Sequence, residues 1–224
     1  RLEDAGMGVQ MAEYAAHAVL RYFRRFDDYQ QQAQKREWQF LASNRKRDFT
    51  IGLMGLGAIG SRVAQALLHF GFPLRGWSRS RKNLPGVQCF AGDHALDEFL
   101  EGAKVLICLL PLTQETAGIL NRDTLNKLAY GAYLINLGRG AHLVETDLLA
   151  ARTSGQIAAA TLDVFDEEPL PTDHPFWRDP HITITPHMAA ETWRDDTVRQ
   201  VAEKLLAFEH GEAVTGIVNR IRGY

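Results

Sequence analysis

Apolar runs and amphipathic segments alternate along most of this chain. The short apolar runs are typical of strands that are covered on both faces, and the segments between them have helical periodicity. The first predicted strand leads into Gly55, and the second ends near Ser78. Further strands are predicted at 87–90, 105–110, 132–136, 158–164 and 181–185. Helices are predicted at 61–70, 93–102, 121–128, 144–154 and 190–210, and an amphipathic helix precedes the first strand. This order predicts an α/β fold with a doubly wound, mostly parallel sheet, whose ligands bind beyond the C-terminal ends of the strands.

A glycine pattern follows the first predicted strand and opens the helix after it. Its sequence is Gly55-Leu56-Gly57-Ala58-Ile59-Gly60. In a dinucleotide site, the first glycine allows a tight turn, the second lets the backbone approach the pyrophosphate, and the third lets helix and strand pack closely. The helix N-terminus adds N–H donors and a positive dipole end for the anion. We therefore predict a dinucleotide site, although the glycines alone also fit a turn in another α/β protein.

The end of the second predicted strand indicates which dinucleotide is bound. An enzyme specific for NAD places an acidic residue here for the ribose 2′-hydroxyl, but no acid occurs between residues 74 and 82. Ser78 and Ser80 can donate hydrogen bonds to a 2′-phosphate, and Arg79 offers a planar guanidinium. Arg81 and Lys82 are further candidates that spacing does not rank. We predict NADPH as the preferred cofactor and NADH as a weaker one; the alternative is a basic, solvated loop with no ligand.

Composition excludes several classes of protein. The chain has 224 residues, 46% of them hydrophobic, and a net charge of −2, so no overall charge favours nucleic acid or a membrane surface. No apolar run approaches the roughly 20 residues that span a bilayer, and the start at 1–4 does not resemble a signal peptide. A cytoplasmic location is therefore expected. Cys89 and Cys108 lie in separate predicted strands without metal-ligand spacing, which predicts buried free thiols and no metal site.

Basic and aromatic residues are interleaved between residues 21 and 47. This mixture occurs in proteins that bind nucleic acid. However, acidic residues dilute the charge and the apolar positions recur at helical spacing. We interpret the segment as a surface helix or a helix that contacts another subunit.

Three polar residues at predicted strand ends form a candidate catalytic group. Arg139 can hold a substrate carboxylate in a bidentate contact. Histidine as a residue type has an ordinary pKa near neutrality, which makes His187 a candidate to protonate the alkoxide that forms when hydride reaches a ketone. Glu168, if it is adjacent, favours the charged, proton-donating form of the imidazole. Taken singly, each residue also fits a structural histidine, a solvated acid or a loop contact, but their common location at one sheet edge favours catalysis.

Together these motifs resemble one enzyme family, the D-isomer-specific 2-hydroxyacid dehydrogenases. The resemblance rests on the glycine pattern and on residues 137–140, 162–171 and 185–187. Residues 77–82, 90–92 and 222–224 are similar to bacterial members that reduce glyoxylate and hydroxypyruvate. It implies that Arg139 binds the substrate carboxylate, that His187 is the acid/base and that Glu168 orients it. It further implies that Asp163 contacts the nicotinamide carboxamide and that the cofactor site is lined by Leu110, Pro111, Thr116, Leu137 and Gly138. A homodimer is also implied.

The resemblance also predicts the domain organisation. Family members begin with the front of a flavodoxin-like substrate domain, whereas this chain starts near the long interdomain helix. We therefore expect a dinucleotide-binding domain at 1–190 and a remnant of the substrate domain at 191–224. The chain departs from the family at Gly138, where an alanine is common.

The resulting hypothesis is a reductase that transfers hydride from NADPH to small 2-oxoacids, converting glyoxylate to glycolate and hydroxypyruvate to D-glycerate. Two alternatives stay open. One is another D-2-hydroxyacid dehydrogenase, acting on phosphoglycerate or a longer 2-oxoacid. The other is a nucleotide-sensing binding protein of the same fold without turnover.

Overall fold

The structure is a computed structural model that describes residues 6–217. Residues 1–4 and 222–224, which entered the sequence argument, lie outside the described part. Within it, strands form one sheet in which every pairing is parallel. The strands are β1 (Ile51–Met54), β2 (Leu74–Ser78), β3 (Val87–Ala91), β4 (Val105–Cys108), β5 (Ala132–Asn136), β6 (Ile157–Leu162) and β7 (Ile182–Ile184). Their spatial order is β3-β2-β1-β4-β5-β6-β7, which confirms the predicted doubly wound α/β fold.

Helices cover both faces of the sheet. They are α1 (Met7–Phe23), α2 (Phe26–Gln34), α3 (Ala58–His69), α4 (Leu96–Leu100), α5 (Arg122–Lys127), α6 (Glu145–Ser154) and α7 (Arg194–Glu209). In β4, Val105 and Ile107 belong to a core shared with α1 and α3, whereas Leu106 and Cys108 belong to a core shared with α4, α5 and α6. Successive side chains of a strand point to opposite faces, so both faces must be apolar when both are covered.

The strand order reverses between β1 and β4. The chain runs from β1 outward to β3 and then returns to continue from β4 on the other side of β1. In an open parallel sheet, the crevice at such a switch point lies outside the carboxyl ends of the strands and is where ligands bind. The glycine loop after β1 and the loop after β4 flank this crevice.

Several predicted boundaries were wrong by a few residues. The segment 93–102 divides into a 3₁₀ turn at Asp93–Ala95 and the short helix α4, and the helix expected at 190–210 begins only at Arg194. The leading helix stops at Phe23, because Arg25 adopts the left-handed conformation with φ 60°. A separate helix, α2, then begins at Phe26.

The predicted burial of both thiols is correct for one of them. Cys108 lies in a central strand and is completely buried, which raises the pKa of its thiol to about 12. Cys89 is only half-buried because β3 is an edge strand with one neighbour. Both cysteines are free.

The described residues include no helix with the length and apolar character needed to cross a membrane. Between residues 6 and 217 there is also no group of three or more histidine, cysteine or acidic side chains that could hold a metal ion. Helix α7 has no fully buried residue, and apolar side chains such as Leu205 and Phe208 are 60% and 76% exposed.

Candidate active site

The glycine loop has the backbone geometry that a dinucleotide requires. Gly55 has φ +105°, where L side chains are strained, and a Cβ at Gly60 would lie 1.8 Å from the carbonyl oxygen of Gly55. By contrast, a Cβ at Gly57 would meet nothing within 4 Å. Gly57 is also the N-cap of α3. Because glycine has no side chain, no capping bond from this residue covers the first N–H groups of the helix. The second and third glycines of the pattern therefore have different roles: Gly60 permits packing inside the protein, and Gly57 faces open space at the helix N-terminus.

The residues predicted to select the cofactor follow β2. Arg79, Ser80 and Arg81 are exposed, whereas Ser78 is only 8% exposed and its hydroxyl donates to the carbonyl oxygen of Ser80 at 2.8 Å. To donate to a phosphate instead, the Ser78 hydroxyl must give up that bond. The exposed donors at this edge are thus those of Arg79, Ser80, Arg81 and Lys82.

The loop after β4 forms the neighbouring wall. Leu110 is buried and Pro111 is exposed. The hydroxyl of Thr116 donates to the carbonyl oxygen of Pro111 at 2.8 Å and accepts from the Thr113 N–H at 2.8 Å. Thr116 therefore closes the loop into a compact turn. Glu115 on this turn has a pKa below its usual range, caused first by the hydrogen bond from Thr113 and also by the charge of Arg79.

Arg139 follows β5 on a loop that buried side chains hold. Asn136, which is fully buried, donates to the carbonyl oxygen of Arg139 at 3.1 Å and accepts from the Gly138 N–H at 3.2 Å. The guanidinium of Arg139 is exposed and donates to the carbonyl oxygen of Gly138 at 2.7 Å. Leu137 is buried beneath this loop. A Cβ at Gly140 would lie 1.8 Å from the carbonyl carbon of Phe165, so this glycine packs the Arg139 loop directly on the loop after β6.

His187 and Glu168 form a hydrogen-bonded pair, with Nδ1 of the imidazole 2.8 Å from Oε2 of the carboxylate. The other oxygen, Oε1, accepts from the Phe165 N–H at 3.0 Å. Partial burial raises the pKa of the Glu168 carboxyl, but the bonds from His187 and Phe165, together with the charge of Arg139, lower it more, so the net shift is downward. An ionised Glu168 holds the proton on Nδ1, which leaves Nε2 as the nitrogen that can exchange a proton with a substrate.

Asp163 holds the loop that carries His187. Its carboxylate accepts from the Thr185 hydroxyl at 2.6 Å and from the N–H groups of Met188 and Ala189, both at 2.9 Å. Its carbonyl oxygen accepts from the His187 N–H at 2.9 Å. These bonds surround His187, whose φ of +53° is in the left-handed region that few non-glycine residues adopt. The carboxylate offers about four acceptor positions, and three are used in the hydrogen bonds among residues 6–217.

A tyrosine that sequence reasoning missed extends this network. The hydroxyls of Tyr14, on α1, and Thr185 are 2.6 Å apart. Because Thr185 gives its own proton to Asp163, Tyr14 is the donor in this pair. Burial raises the pKa of Tyr14, so it keeps that proton. The leading helix is thus bonded to the loop of His187, and nothing in the sequence around Tyr14 signals this contact.

The structure therefore brings Arg139, Glu168 and His187 to the carboxyl edge of one sheet, beside the glycine loop. A family model for the D-isomer specific 2-hydroxyacid dehydrogenase NAD binding domain matches residues 16–189. The chain belongs to this family. The strands of the sheet and the candidate site residues lie within the matched part of the chain.

Individual relatives agree with that assignment. The chain is 56% identical, over its full length, to glyoxylate/hydroxypyruvate reductase A of Serratia proteamaculans and spans 72% of that protein. A Sinorhizobium meliloti NADPH-dependent glyoxylate/hydroxypyruvate reductase, solved with NADP and sulfate, is 35% identical with a TM-score of 0.97, covering 100% of this chain and 72% of that one. A Xanthobacter autotrophicus family member, solved with NADPH and MES, is 39% identical with a TM-score of 0.96, covering 100% of this chain and 93% of that one.

Proposed function

We propose that this protein is an NADPH-dependent reductase of small 2-oxoacids, with glyoxylate and hydroxypyruvate as its substrates. The observation that carries the proposal is the His187–Glu168 pair, which lies with the exposed Arg139 beside a dinucleotide-type glycine loop. The relatives named as glyoxylate/hydroxypyruvate reductases support the choice of substrate.

The cofactor proposal rests on residues that fit a dinucleotide phosphate. The open space at Gly57 and the uncapped start of α3 suit a pyrophosphate, since the backbone can approach it and donate N–H groups. Arg79, with Arg81 and Ser80, is proposed to bind the 2′-phosphate and to make NADPH the preferred cofactor over NADH. The remaining acceptor position of Asp163 is proposed for the nicotinamide carboxamide. Bound there, NADPH supplies a hydride to the carbonyl carbon of the substrate.

Arg139 is proposed to hold the substrate. Its guanidinium can donate two parallel hydrogen bonds to a carboxylate, and its positive charge also polarises an adjacent carbonyl. The contact to the Gly138 carbonyl uses only one of its donors. A 2-oxoacid has its carboxylate directly next to the reacting carbonyl, so one arginine can bind the first group and activate the second.

His187 is proposed as the proton donor. As hydride reaches the carbonyl carbon, negative charge develops on the carbonyl oxygen, and Nε2 of the protonated imidazole gives that oxygen its proton. Glu168 stabilises the charged imidazole before transfer and keeps the ring oriented through Nδ1. In the reverse direction, the neutral imidazole accepts the proton of the 2-hydroxyacid.

A substrate panel tests this function. Purified protein is mixed with NADPH or NADH and with glyoxylate, hydroxypyruvate, 3-phosphohydroxypyruvate or a longer 2-oxoacid, and loss of reduced-nicotinamide absorbance is followed. We expect the highest kcat/KM with NADPH and the first two substrates. A preference for the phosphorylated or longer acids supports another dehydrogenase of the family, and tight NADPH binding without turnover supports a nucleotide-sensing protein.

The oligomeric state, location and domain division complete the proposal. A homodimer is supported by large aromatic side chains on one surface segment, where Trp38 is 103% and Phe40 82% exposed. Light scattering of the purified protein tests it.

A cytoplasmic location is supported by the two free cysteines, because thiols persist in reducing compartments. The assignment of 191–224 to a substrate domain is supported by the exposed apolar side chains of α7.

A further inference from the structure

His142 is a buried side chain between two loops of the candidate site. It ends the 3₁₀ turn Gly140–His142 and its side chain is completely buried. Nδ1 accepts a hydrogen bond from the Arg139 N–H at 3.0 Å, and Nε2 lies 3.3 Å from the carbonyl oxygen of Pro111. The ring therefore joins the loop of the proposed substrate arginine to the loop that follows β4.

These two contacts define the protonation state of the ring. A backbone N–H can only donate, so Nδ1 carries no proton. The proton of the neutral ring is then on Nε2, which donates it to the Pro111 carbonyl. Burial, with the nearby charge of Arg139, lowers the pKa of His142 and outweighs the opposing effect of its two backbone hydrogen bonds. His142 thus acts as a neutral bridge with one acceptor and one donor.

Both backbone polar groups of Arg139 are held in this way by buried side chains. His142 accepts from its N–H, and Asn136 donates to its carbonyl oxygen. The backbone of Arg139 is therefore fixed while its guanidinium stays exposed. A side chain that must meet a carboxylate in a bidentate geometry benefits from such a fixed base, because misplacement of a clamping group reduces the rate.

Gly138 gives the ring its space. A Cβ at this position would lie 2.8 Å from Nδ1 and 2.9 Å from Cε1 of His142, and 3.1 Å from the carbonyl oxygen of Leu110. Contacts shorter than 3.0 Å require movement, and the ring cannot move without losing the bonds to Arg139 and Pro111. The glycine at 138 and the histidine at 142 are thus sterically coupled.

We propose that His142 is a positioning residue for 2-oxoacid binding, which sets the distance between the Arg139 loop and the Pro111 loop. This role rests on the proposed function, because it assumes that Arg139 clamps the substrate carboxylate. It predicts that changes at His142 affect the 2-oxoacid far more than the nucleotide.

The first test compares two replacements of similar size. In His142→Leu both hydrogen bonds are lost, whereas in His142→Asn the side-chain oxygen can still accept from the Arg139 N–H. We expect His142→Leu to raise KM for glyoxylate about tenfold or more, since a buried N–H loses its partner, with little change in the Kd for NADPH. His142→Asn should recover most of this loss. The exposed His17→Asn is the matched control and should behave as wild type.

Oxalate binding to the NADPH complex, measured by fluorescence titration, separates this proposal from the function itself. Oxalate presents a carboxylate but cannot be reduced. If the wild type binds oxalate without reducing any 2-oxoacid, the proposed function fails while the variants still test the positioning of Arg139. A wild type that neither binds oxalate nor reduces a 2-oxoacid overturns both proposals. Equal weakening of oxalate and NADPH in His142→Leu, in step with a lower Tm, shows a purely structural histidine and overturns this one.

A double-mutant cycle gives an independent test. Gly138→Ala alone should weaken oxalate binding, because its Cβ displaces the ring. Adding His142→Val to Gly138→Ala removes the clash, so the two changes together should cost clearly less than the sum of their separate effects. Additive effects contradict the steric coupling and with it the role assigned to the ring.

Discussion

Replacing Glu168 with glutamine is the sharpest perturbation of the proposed proton donor. The change keeps the size of the side chain and removes its charge. Glu168 uses one oxygen for Nδ1 of His187 and the other for the Phe165 N–H. Glutamine has a single acceptor oxygen, so one of the two donors must face an NH₂ group. The variant therefore loses both the charge that stabilises a protonated imidazole and one hydrogen bond that orients it.

The size of the effect on folding and on turnover depends on how far water screens the His187–Glu168 pair. In the structure the side chains of His187 and Glu168 are 46% and 37% exposed, so their contribution to folding is small, about 0–1 kcal/mol. With substrate and cofactor bound above them, screening decreases, and a hydrogen bond to a charged group is worth about 1.5–3 kcal/mol. We therefore expect kcat/KM for glyoxylate to fall roughly 10- to 150-fold, with little loss of thermal stability.

The pH dependence has a defined sign. Reduction requires the protonated imidazole, so the rate falls as the pH rises, and Glu168→Gln, which removes the carboxylate bound to Nδ1, should lower the rate across the neutral pH range. On the acid side, the pKa of Glu168 is below its ordinary value, so its stabilisation of the pair is present at neutral pH and is lost only as the pH falls through that lowered pKa. In Glu168→Gln, this loss of the pair's stabilisation at low pH should be absent, because glutamine has no carboxyl group to protonate.

The assay is kcat/KM for glyoxylate as a function of pH at saturating NADPH. Glu167→Gln is the matched control, because it removes an exposed neighbouring carboxylate that makes no bond to His187 in the described hydrogen bonds. A rate for Glu168→Gln that stays within twofold of wild type across the neutral pH range would show that another group donates the proton.

Three further predictions concern the cofactor loop and the support of the histidine. Arg79→Ala should weaken NADPH binding by about 1.5–3 kcal/mol in a titration and leave NADH nearly unchanged; equal losses contradict the 2′-phosphate assignment. Gly57→Ala should fold normally, because its Cβ meets nothing within 4 Å, but should bind NADPH more weakly, whereas Gly60→Ala should lower Tm, because its Cβ would lie 1.8 Å from a backbone oxygen. Asp163→Asn should lower Tm and reduce turnover, because an amide nitrogen cannot accept from the Ala189 N–H; an unchanged Tm contradicts this.

The sequence predicted those parts of the site whose residues are recognisable by pattern. Glycines at fixed spacing and polar residues at strand ends identified the loop at Gly55, the arginine at 139 and the histidine at 187, because parallel strands bring their carboxyl ends to one edge. Glu168 was predicted in the same way, as a carboxylate that could lie beside His187, and family resemblance added the role expected for Asp163. Strand and helix boundaries shifted by a few residues, since local hydrophobicity does not determine where hydrogen bonding stops.

The residues that support the site were missed for a physical reason. His142, Asn136 and Tyr14 act on backbone groups or on single hydroxyls, and such contacts have no characteristic sequence spacing. His142 in particular is one of eight histidines and could only be treated as a structural residue from sequence. The break at Arg25 was also missed, because arginine has no preference for the left-handed conformation that ends α1 there.

The most direct measurement of the central claim follows a labelled hydride. Hydroxypyruvate is reduced with NADPH that carries deuterium at the transferable position of nicotinamide C4, and the glycerate is analysed by mass spectrometry and for chirality. We predict D-glycerate with one deuterium on its second carbon, formed by the wild type and strongly reduced in His187→Asn, which should still bind NADPH. Unlabelled or L-configured glycerate, or comparable turnover in His187→Asn, would contradict hydride transfer at this site with His187 as the proton donor.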